Sequence, residues 1–174
     1  MTIKKEKILA TALLFFAEQG YYASSTSKIA KAAGVSEALI FRHFKNKEGL
    51  LEAVLQQGEQ RVKSFLIEII AEEDPKVLIR KTLEMPFLIA VADQDFWRLQ
   101  FKLKWEIKKY NNEKLKPLEL SLAKAFKALA YEDPELEAAF ILHFLDGISG
   151  AILRNTLSNE EAMKKFLLKK YNLL

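Results

Sequence analysis

The sequence predicts an all-α protein of 174 residues. Apolar residues recur at the spacing of an amphipathic helix along nearly the whole chain, and no segment alternates apolar and polar residues as a half-buried strand does. Half of the residues are apolar and 29% are charged, as in ordered globular proteins. Six glycines and four prolines are too few for the many turns of a β-sandwich or β-barrel. We therefore expect about nine helices, three short and six longer.

The three short helices come first in the chain. The first is predicted over residues 3–19, where apolar side chains form one broad stripe. Thr26 is expected to cap the second helix. Gly34 is expected to end it, because glycine readily adopts the left-handed conformation found past a helix end. Ser36 is expected to cap a third helix that runs to about Phe44.

The longer helices follow in the rest of the chain. Their expected ranges are 47–72, 76–92, 94–110, 114–130, 134–156 and a last one ending near residue 171. Asn46 offers a cap for the first of these helices, and Ser158 or Asn159 for the last. Pro86 is expected to bend the helix that contains it, because proline cannot donate to the preceding turn.

The composition excludes several kinds of functional site. No cysteine is present, so disulfides and thiolate metal sites are excluded. His43 and His143 are the only histidines, which excludes a zinc site built from several histidines. The chain also lacks a glycine-rich phosphate loop and a histidine paired with a nucleophile. We expect no enzyme activity and no bound metal or cofactor.

The net charge is confined to the N-terminal part. Residues 1–50 contain eight lysines and arginines against four acidic residues, and so account for the whole net charge of +4. Residues 51–174 contain basic and acidic residues in equal number. A basic head on a neutral body indicates that a polyanion is the partner of the head.

The first residues superficially resemble a secretory signal, because a lysine-rich start precedes an apolar run over residues 8–17. Glu6 interrupts the basic region, however, and no small-residue cleavage site follows. The apolar run is shorter than the roughly 20 residues that span a membrane, and we identify no longer run elsewhere. The sequence favours a cytoplasmic protein with no membrane partner.

Residues 26–44 meet the requirements of a helix-turn-helix. Ala30 supplies the small residue that two closely crossing helices need, and Gly34 supplies the turn between them. Four apolar residues can hold both helices against the first: Ile29, Val35, Ile40 and Phe44. The third helix can then enter a major groove of DNA. The alternative is an ordinary three-helix corner, but the location of the charge favours DNA binding.

Two segments carry a resemblance to a known family. Residues 20–36 (GYYASSTSKIAKAAGVS) and 39–51 (LIFRHFKNKEGLL) resemble the N-terminal domain of TetR-type transcriptional regulators, the tetracycline-repressor family. The resemblance implies a homodimer that binds a palindromic operator, usually as a repressor, and that a small ligand releases. It also implies a helix-turn-helix domain over residues 1–46 and a helical ligand-binding and dimerisation domain over residues 47–174.

The expected DNA contacts lie on the second and third helices and at the start of the fourth. They are Thr26, Ser36, Glu37, Ala38, Leu39, Phe41, Arg42, His43, Lys45 and Lys47. The resemblance implies that Thr26 and Ser36 cap their helices and touch phosphate. It implies a phosphate contact for Lys47 as well, at a helix start where the dipole favours anions.

The chain departs from the family pattern in the third helix. Ala38-Leu39 stands where a Gly-Thr pair is common, and Phe41 replaces a tyrosine, so two polar contacts with DNA are missing. Glu37 could accept a hydrogen bond from a cytosine amino group, or cap the helix and weaken binding.

Three further residues of this helix have two interpretations each. Arg42 and His43 are the best remaining polar readers of bases. Alternatively, Arg42 contacts only phosphate and His43 packs at the helix edge. Leu39 either meets a thymine methyl group or lies half-buried in the core.

The helix over residues 134–156 is apolar on more than one face and so needs cover on both sides. We expect that cover to be the same helix of a second subunit, completed by the last helix. The predicted interface residues are Ile141, Leu145, Gly147, Ile148, Ala151, Ile152, Met163, Phe166 and Leu167. The alternative is a central helix inside a monomeric bundle.

An apolar ligand pocket is predicted inside the second domain. Its candidate walls are Phe65, Met85, Phe87, Phe101, Trp105, Phe126, Phe140 and Phe144, although aromatic residues at helical spacing are often plain core. His143 and Asp146 share a helix face and could orient a polar ligand or a metal ion. One histidine and one carboxylate are a weak metal signal, so an interface histidine is favoured. The alternative to a regulator is a ligand-binding or interaction protein whose degenerate helix-turn-helix binds no specific operator.

Overall fold

The structure is a computed structural model that describes residues 3–89, 93–106 and 115–174, except for the side chains at positions 60–62 and 105. Within these ranges all regular elements are helical. Nine α-helices are described: α1 (Ile3–Gln19), α2 (Thr26–Ala33), α3 (Glu37–Phe44), α4 (Lys47–Ile70), α5 (Pro75–Glu84), α6 (Gln94–Glu106), α7 (Lys116–Ala128), α8 (Pro134–Leu153) and α9 (Glu160–Lys170). The predicted all-α class is confirmed.

The caps of the N-terminal helices differ in part from the prediction. The N-cap of α2 is Ser25, whose hydroxyl accepts a hydrogen bond from the Lys28 N–H at 3.2 Å. The prediction that Thr26 caps α2 is wrong, because the chain is still extended at Ser25 and Thr26 is already the first helical residue. Ser36 occupies the N-cap position of α3, but its side chain makes no capping hydrogen bond. Gly34 ends α2 in the left-handed conformation, with φ of 67°, as predicted.

Proline ends a helix where the sequence predicted a bend. Asp74 caps α5, and its carboxylate accepts from the N–H groups of the next two non-proline residues, Lys76 and Val77. The helix stops at Glu84, and a 3-10 turn (Met85–Leu88) follows it. The predicted helix over 76–92 is therefore shorter, since Pro86 offers no N–H to continue it. The predicted ends of the helices over 76–92 and 94–110 and the start of the helix over 114–130 lie outside the described residues.

Two compact units are present. The first comprises Met1–Val62 and Val91–Tyr110, and thus contains α1–α3, most of α4, and α6. Its core is centred on α1, where Ile8, Ala12 and Phe16 are fully buried, and α6 contributes Leu99 and Leu103. The predicted boundary after residue 46, between the DNA-binding domain and the ligand-binding domain, stays a prediction.

The second unit comprises Lys63–Ala90 and Asn111–Leu174. In it, α7 packs against α5 and α8, and Phe126 of α7 is fully buried. Its ring lies 4.8 Å from that of Tyr131 and 5.9 Å from that of Tyr171, measured between centroids. The Tyr171 hydroxyl donates to the Glu137 carboxylate, and burial together with this carboxylate raises the pKa of Tyr171 well above its ordinary value.

α8 corrects the expectation about membrane-length segments. Among the described residues, it is a helix of 20 residues that is long and apolar enough to cross a membrane by length and composition. The expectation that no such run exists is wrong, because α8 is apolar over most of its length despite its few charged residues. One such helix is weak support for a membrane span, and Ala138, Ile141 and Leu145 of α8 are buried within the second unit.

Candidate nucleic-acid interface

The helix-turn-helix geometry is present in the first unit. The Gly34 and Val35 N–H groups bond back to the carbonyls of Lys31 and Ala30, which closes the turn after α2. Ala30 is 3% exposed and therefore lies at a close helix contact. On α3, Ile40 is fully buried and Phe44 is nearly so. These anchors leave the opposite side of α3 uncovered within this unit.

The uncovered side of α3 consists of Ala38, Phe41 and Arg42, followed by Lys45 just past the helix end. The spacing of these positions by three and four residues places them on one face of the helix. Phe41 is 42% exposed, and Arg42 is exposed as well, so an aromatic ring and a guanidinium group both reach solvent from this side of α3. The structure thus brings together an exposed apolar and cationic strip that can reach a groove.

The other predicted residues of α3 are less accessible. Leu39 is half-buried and packs against the core of the first unit, as the second of its two interpretations expected. His43 is also half-buried, with its ring centroid 5.9 Å from that of Phe44. Arg42 therefore remains the most exposed polar side chain within α3 itself.

Thr26 and Glu37 are partners. The Thr26 hydroxyl donates to Glu37 Oε1 at 2.6 Å, which links the first turn of α2 to the first turn of α3. This contact replaces the predicted capping role of Thr26. Because the hydroxyl binds one carboxylate oxygen, it orients Glu37 at the N-terminal end of α3. A carboxylate held there can accept a hydrogen bond from a cytosine amino group.

Lys47 lies at the start of α4, directed toward the connection between α1 and α2. Its Nζ donates to the Tyr22 carbonyl at 3.3 Å and stands 4.5 Å from the centroid of the Tyr21 ring. Burial lowers the pKa of Lys47, and the carboxylate of Glu106 acts in the opposite direction. The predicted phosphate contact of Lys47 would therefore use an ammonium group that the protein already holds in place.

Two lysines of α1 lie close to the motif, although sequence reasoning treated them only as part of the net charge. Lys5 Nζ is 5.7 Å from the centroid of the Phe44 ring at the end of α3. Lys7 Nζ is 3.6 Å from the position that a Cβ on Gly34 would occupy. The charge excess of residues 1–50 was the signal, but their placement beside α3 required the folded structure.

The junction between α3 and α4 is unusually tight. Lys45 has φ of 69° and ψ of −51°, and the Asn46 N–H bonds to the Phe44 carbonyl at 2.8 Å. The Asn46 side chain then caps α4 by accepting from the Gly49 N–H at 2.7 Å, as predicted for Asn46. This strained turn was missed, because a lysine at positive φ leaves no signal in the sequence.

Two substitutions of Lys45 distinguish the effect of its strained backbone on stability from the effect of its side-chain charge. We expect Lys45→Gly to raise the free energy of unfolding by about 1 kcal/mol, because glycine removes the Cβ clash at positive φ. Lys45→Ala removes the same charge but keeps the clash, and should give no such gain. Chemical denaturation of both variants measures the difference, and equal stability of the two would contradict the strained geometry.

The predicted dimer residues of α8 and α9 divide into two sets. One set is buried inside the second unit: Ile141, Leu145, Ile148, Ile152 and Leu167. Gly147 and Phe166 are exposed, and Ala151 and Met163 are partly exposed. Phe140 and Phe144, predicted as pocket walls, are also exposed and stack with centroids 5.8 Å apart. The apolar surface that stays exposed therefore includes Phe140 and Phe144 and lacks most of the predicted interface residues of α8.

A cleft of about 180 Å³ lies in the second unit beside this surface. Its lining residues are Leu83, Phe140, Ile141, Phe144, Phe166, Leu167, Lys170 and Tyr171. Of the predicted pocket walls, Phe140 and Phe144 contribute to it. Phe126 lies in the core instead, and Phe65, Met85 and Phe87 are partly buried elsewhere in this unit.

The two other predicted pocket walls, Phe101 and Trp105, lie on α6. Phe101 belongs to the first unit, with Lys104 Nζ 4.5 Å from its ring centroid, and the side chain of Trp105 lies outside the described residues.

Over the described ranges, no group of three or more metal-ligating side chains occurs. His143 Nδ1 lies 2.8 Å from the Ala139 carbonyl of its own helix.

Comparison with known proteins agrees with this geometry. Residues 8–54 match the family model of bacterial regulatory proteins, tetR family. The chain is 48% identical over 61 residues to the uncharacterized HTH-type transcriptional regulator YvkB of Bacillus subtilis (strain 168), a match that covers 35% of this chain and 32% of YvkB. The chain thus spans about a third of the length of this curated relative.

Solved structures share the fold over nearly the whole chain. A TetR-like transcriptional regulator from Rhodococcus sp. RHA1 has a TM-score of 0.80 at 16% identity, covering 96% of this chain and 92% of that one. The regulator FadR from Bacillus subtilis, in complex with stearoyl-CoA, has a TM-score of 0.70 at 22% identity, covering 94% and 95% of the two chains. At these identities the likeness concerns the fold alone.

Proposed function

We infer that this chain belongs to the tetR family of bacterial regulatory proteins, whose family model matches residues 8–54, and that it is a sequence-specific DNA-binding transcriptional regulator. We propose further that it is a cytoplasmic homodimer that represses transcription from a palindromic operator. A small apolar ligand releases it from DNA. We expect this regulator to act without enzyme activity, a cofactor or a membrane partner.

The observation that carries the proposal is the exposed strip of α3. Ala38, Phe41, Arg42 and Lys45 lie on one uncovered face, in the part of the chain that holds the whole net positive charge. A helix presented in this way can enter a major groove, where its side chains meet base edges and flanking phosphates. Glu37, oriented by Thr26, adds an acceptor at the start of the helix.

Dimerisation is proposed through the exposed apolar surface of the second unit. Phe140 is 52% exposed, Phe144 37% and Phe166 61%, and a Cβ on Gly147 would meet no atom within 4 Å. Large apolar patches on a protein surface mark interaction sites. A two-fold axis through this patch would pair it with itself, and a palindromic operator requires two copies of α3.

The ligand is proposed to bind within the second domain. Support comes from the many apolar side chains there and from the shared fold of FadR from Bacillus subtilis, a protein whose solved structure is a complex with stearoyl-CoA. Release follows if the ligand prefers a conformation in which the two α3 helices are wrongly spaced for the grooves. The ligand expected here is small and apolar or aromatic.

The proposed function is tested by selecting duplexes from a random pool and measuring the winner by fluorescence anisotropy across a salt series. We expect a palindromic winner that binds orders of magnitude better than random DNA. If no sequence is enriched and only weak, salt-sensitive binding occurs, the operator proposal fails. The chain would then be an interaction protein with a degenerate helix-turn-helix.

Arg42→Ala is expected to weaken binding to the selected duplex by about 10-fold. If Arg42 reads a base, the variant also relaxes the preference at one operator position. If it contacts phosphate, the salt slope falls by about 1 and the preference stays. Lys124→Ala, an exposed cation on α7, is the matched control and should bind like the wild type. Equal effects of both substitutions would contradict a role for the exposed strip.

A further inference from the structure

We propose that Glu106, near the end of α6, is a positioning residue for DNA binding that acts through the connection between α1 and α2 on Lys47. This inference rests on the proposed function. It assigns a role to a side chain 85 positions beyond the residue it contacts, outside the segment that matches the family model. Glu106 itself is not expected to touch DNA.

The first step is the contact of Glu106 with the backbone after α1. Its Oε2 accepts a hydrogen bond from the Tyr21 N–H at 2.8 Å. Its Oε1 lies 2.2 Å from the position that a Cβ on Gly20 would occupy, so the carboxylate fills the space that glycine leaves. One turn earlier on α6, Lys102 Nζ donates to the Glu18 carbonyl. Two side chains of α6 therefore hold the end of α1.

The second step runs from Tyr21 to Lys47. The Tyr21 ring also packs against the ring of Phe16, which is fully buried, with centroids 5.7 Å apart. Lys47 Nζ stands 4.5 Å from the centroid of the same ring and donates to the carbonyl of Tyr22. Fixing the backbone of residues 20–22 thus fixes both surfaces against which the ammonium group lies.

The third step is electrostatic. Burial lowers the pKa of Lys47, and the negative charge of Glu106 raises it. Glu106 therefore helps to keep the ammonium group charged in its partly buried position. A cation held at the start of α4, directly after α3, is suited to a phosphate contact that sets the register of α3 in the groove. Without Glu106, the connection between α1 and α2 would lose a hydrogen bond at Tyr21, and the Lys47 ammonium group would lose a nearby negative charge.

The experiment uses four variants of the full chain: Glu106→Ala, Glu106→Gln, Lys47→Ala and the double variant Glu106→Ala/Lys47→Ala. Glu119→Ala, which breaks an ion pair with Lys116 on α7, is the control for loss of a carboxylate. The dissociation constant for the selected duplex is measured across a salt series. Thermal unfolding checks that each variant is folded.

We expect Glu106→Ala to weaken binding of the selected duplex by about 10-fold. The substitution removes a hydrogen bond to a charged group, and with it the restraint on the connection that positions Lys47. Its salt slope should fall toward that of Lys47→Ala. Glu106→Gln should recover much of the affinity, since the amide oxygen can still accept from the Tyr21 N–H. In the Lys47→Ala background, Glu106→Ala should add less than about 2-fold if the two residues act together.

The inference fails if Glu106→Ala matches the Glu119→Ala control, or if its effect simply adds to that of Lys47→Ala. A DNA-free measurement separates it from the proposed function. NMR titration of the Lys47 side chain should show a lower pKa in Glu106→Ala than in the wild type, and no change in Glu119→Ala. If the wild type selects no duplex but the titration shows this difference, the operator proposal fails while the coupling of Glu106 to Lys47 stands.

Discussion

Phe166→Glu is expected to convert the proposed dimer to a monomer and to weaken operator binding by about 100-fold, because each α3 would then bind its half-site alone. The ring is 61% exposed on α9 and borders the cleft that Phe140 and Phe144 line. Within one chain, a charge at this position meets solvent and should cost little. Across a two-fold interface it would be buried against an apolar surface, which is costly for an unpaired carboxylate.

Sedimentation velocity gives the oligomeric state, and anisotropy with the selected duplex gives the affinity. Leu120→Glu is the matched control, because Leu120 is an apolar residue of α7 that is 54% exposed. The control should remain a dimer and bind DNA normally. A dimeric Phe166→Glu protein would show that the subunits meet through another surface. Phe140→Glu, at a ring 52% exposed, should repeat the result from α8.

Gly49→Ala is expected to lower the free energy of unfolding by about 2 kcal/mol. Alanine normally stabilises a helix by about 1 kcal/mol relative to glycine, so the expected sign is the reverse of that rule. The reason is the tight junction between α3 and α4, where a Cβ on Gly49 would lie 2.1 Å from the Phe44 carbonyl oxygen. A backbone oxygen cannot rotate away as the end of a long side chain can.

The control is Gly147→Ala on α8, where a new Cβ meets no atom within 4 Å. It should stabilise the chain by about 0.5 to 1 kcal/mol through helix propensity. Both substitutions are made in the Phe166→Glu background, so that subunit dissociation does not contribute to the unfolding free energy. Urea denaturation measures both, and a stabilised Gly49→Ala variant would contradict the close approach.

Much of the N-terminal motif could be predicted from sequence because its signals are local. Gly34 at positive φ and the cap at Asn46 each depend on a few neighbouring residues, and both were predicted correctly. The cap of α2 was predicted one residue too late, because Ser25 and Thr26 have equally suitable hydroxyl groups. In the folded chain Thr26 turns instead to Glu37, a partner on the next helix.

The aromatic residues of α8 were harder to place. Phe140 and Phe144 share one face of the helix, and Ile141 and Leu145 lie on the next. Both faces are apolar, so periodicity alone cannot tell which one the chain covers. The folded structure buries Ile141 and Leu145 and leaves the two phenylalanines exposed, which exchanges part of the predicted interface with part of the predicted pocket.

The sequence by itself determined the helical class, the helix-turn-helix, the location of the positive charge and the family resemblance. These depend on composition and on contacts between residues close in the chain. Only the tertiary structure decided that Glu106 holds Tyr21, that Lys45 adopts a strained turn, and which apolar face of α8 stays uncovered. Such features arise where distant segments pack together, and the free energy of that packing overrides local preference and leaves no periodic trace in the chain.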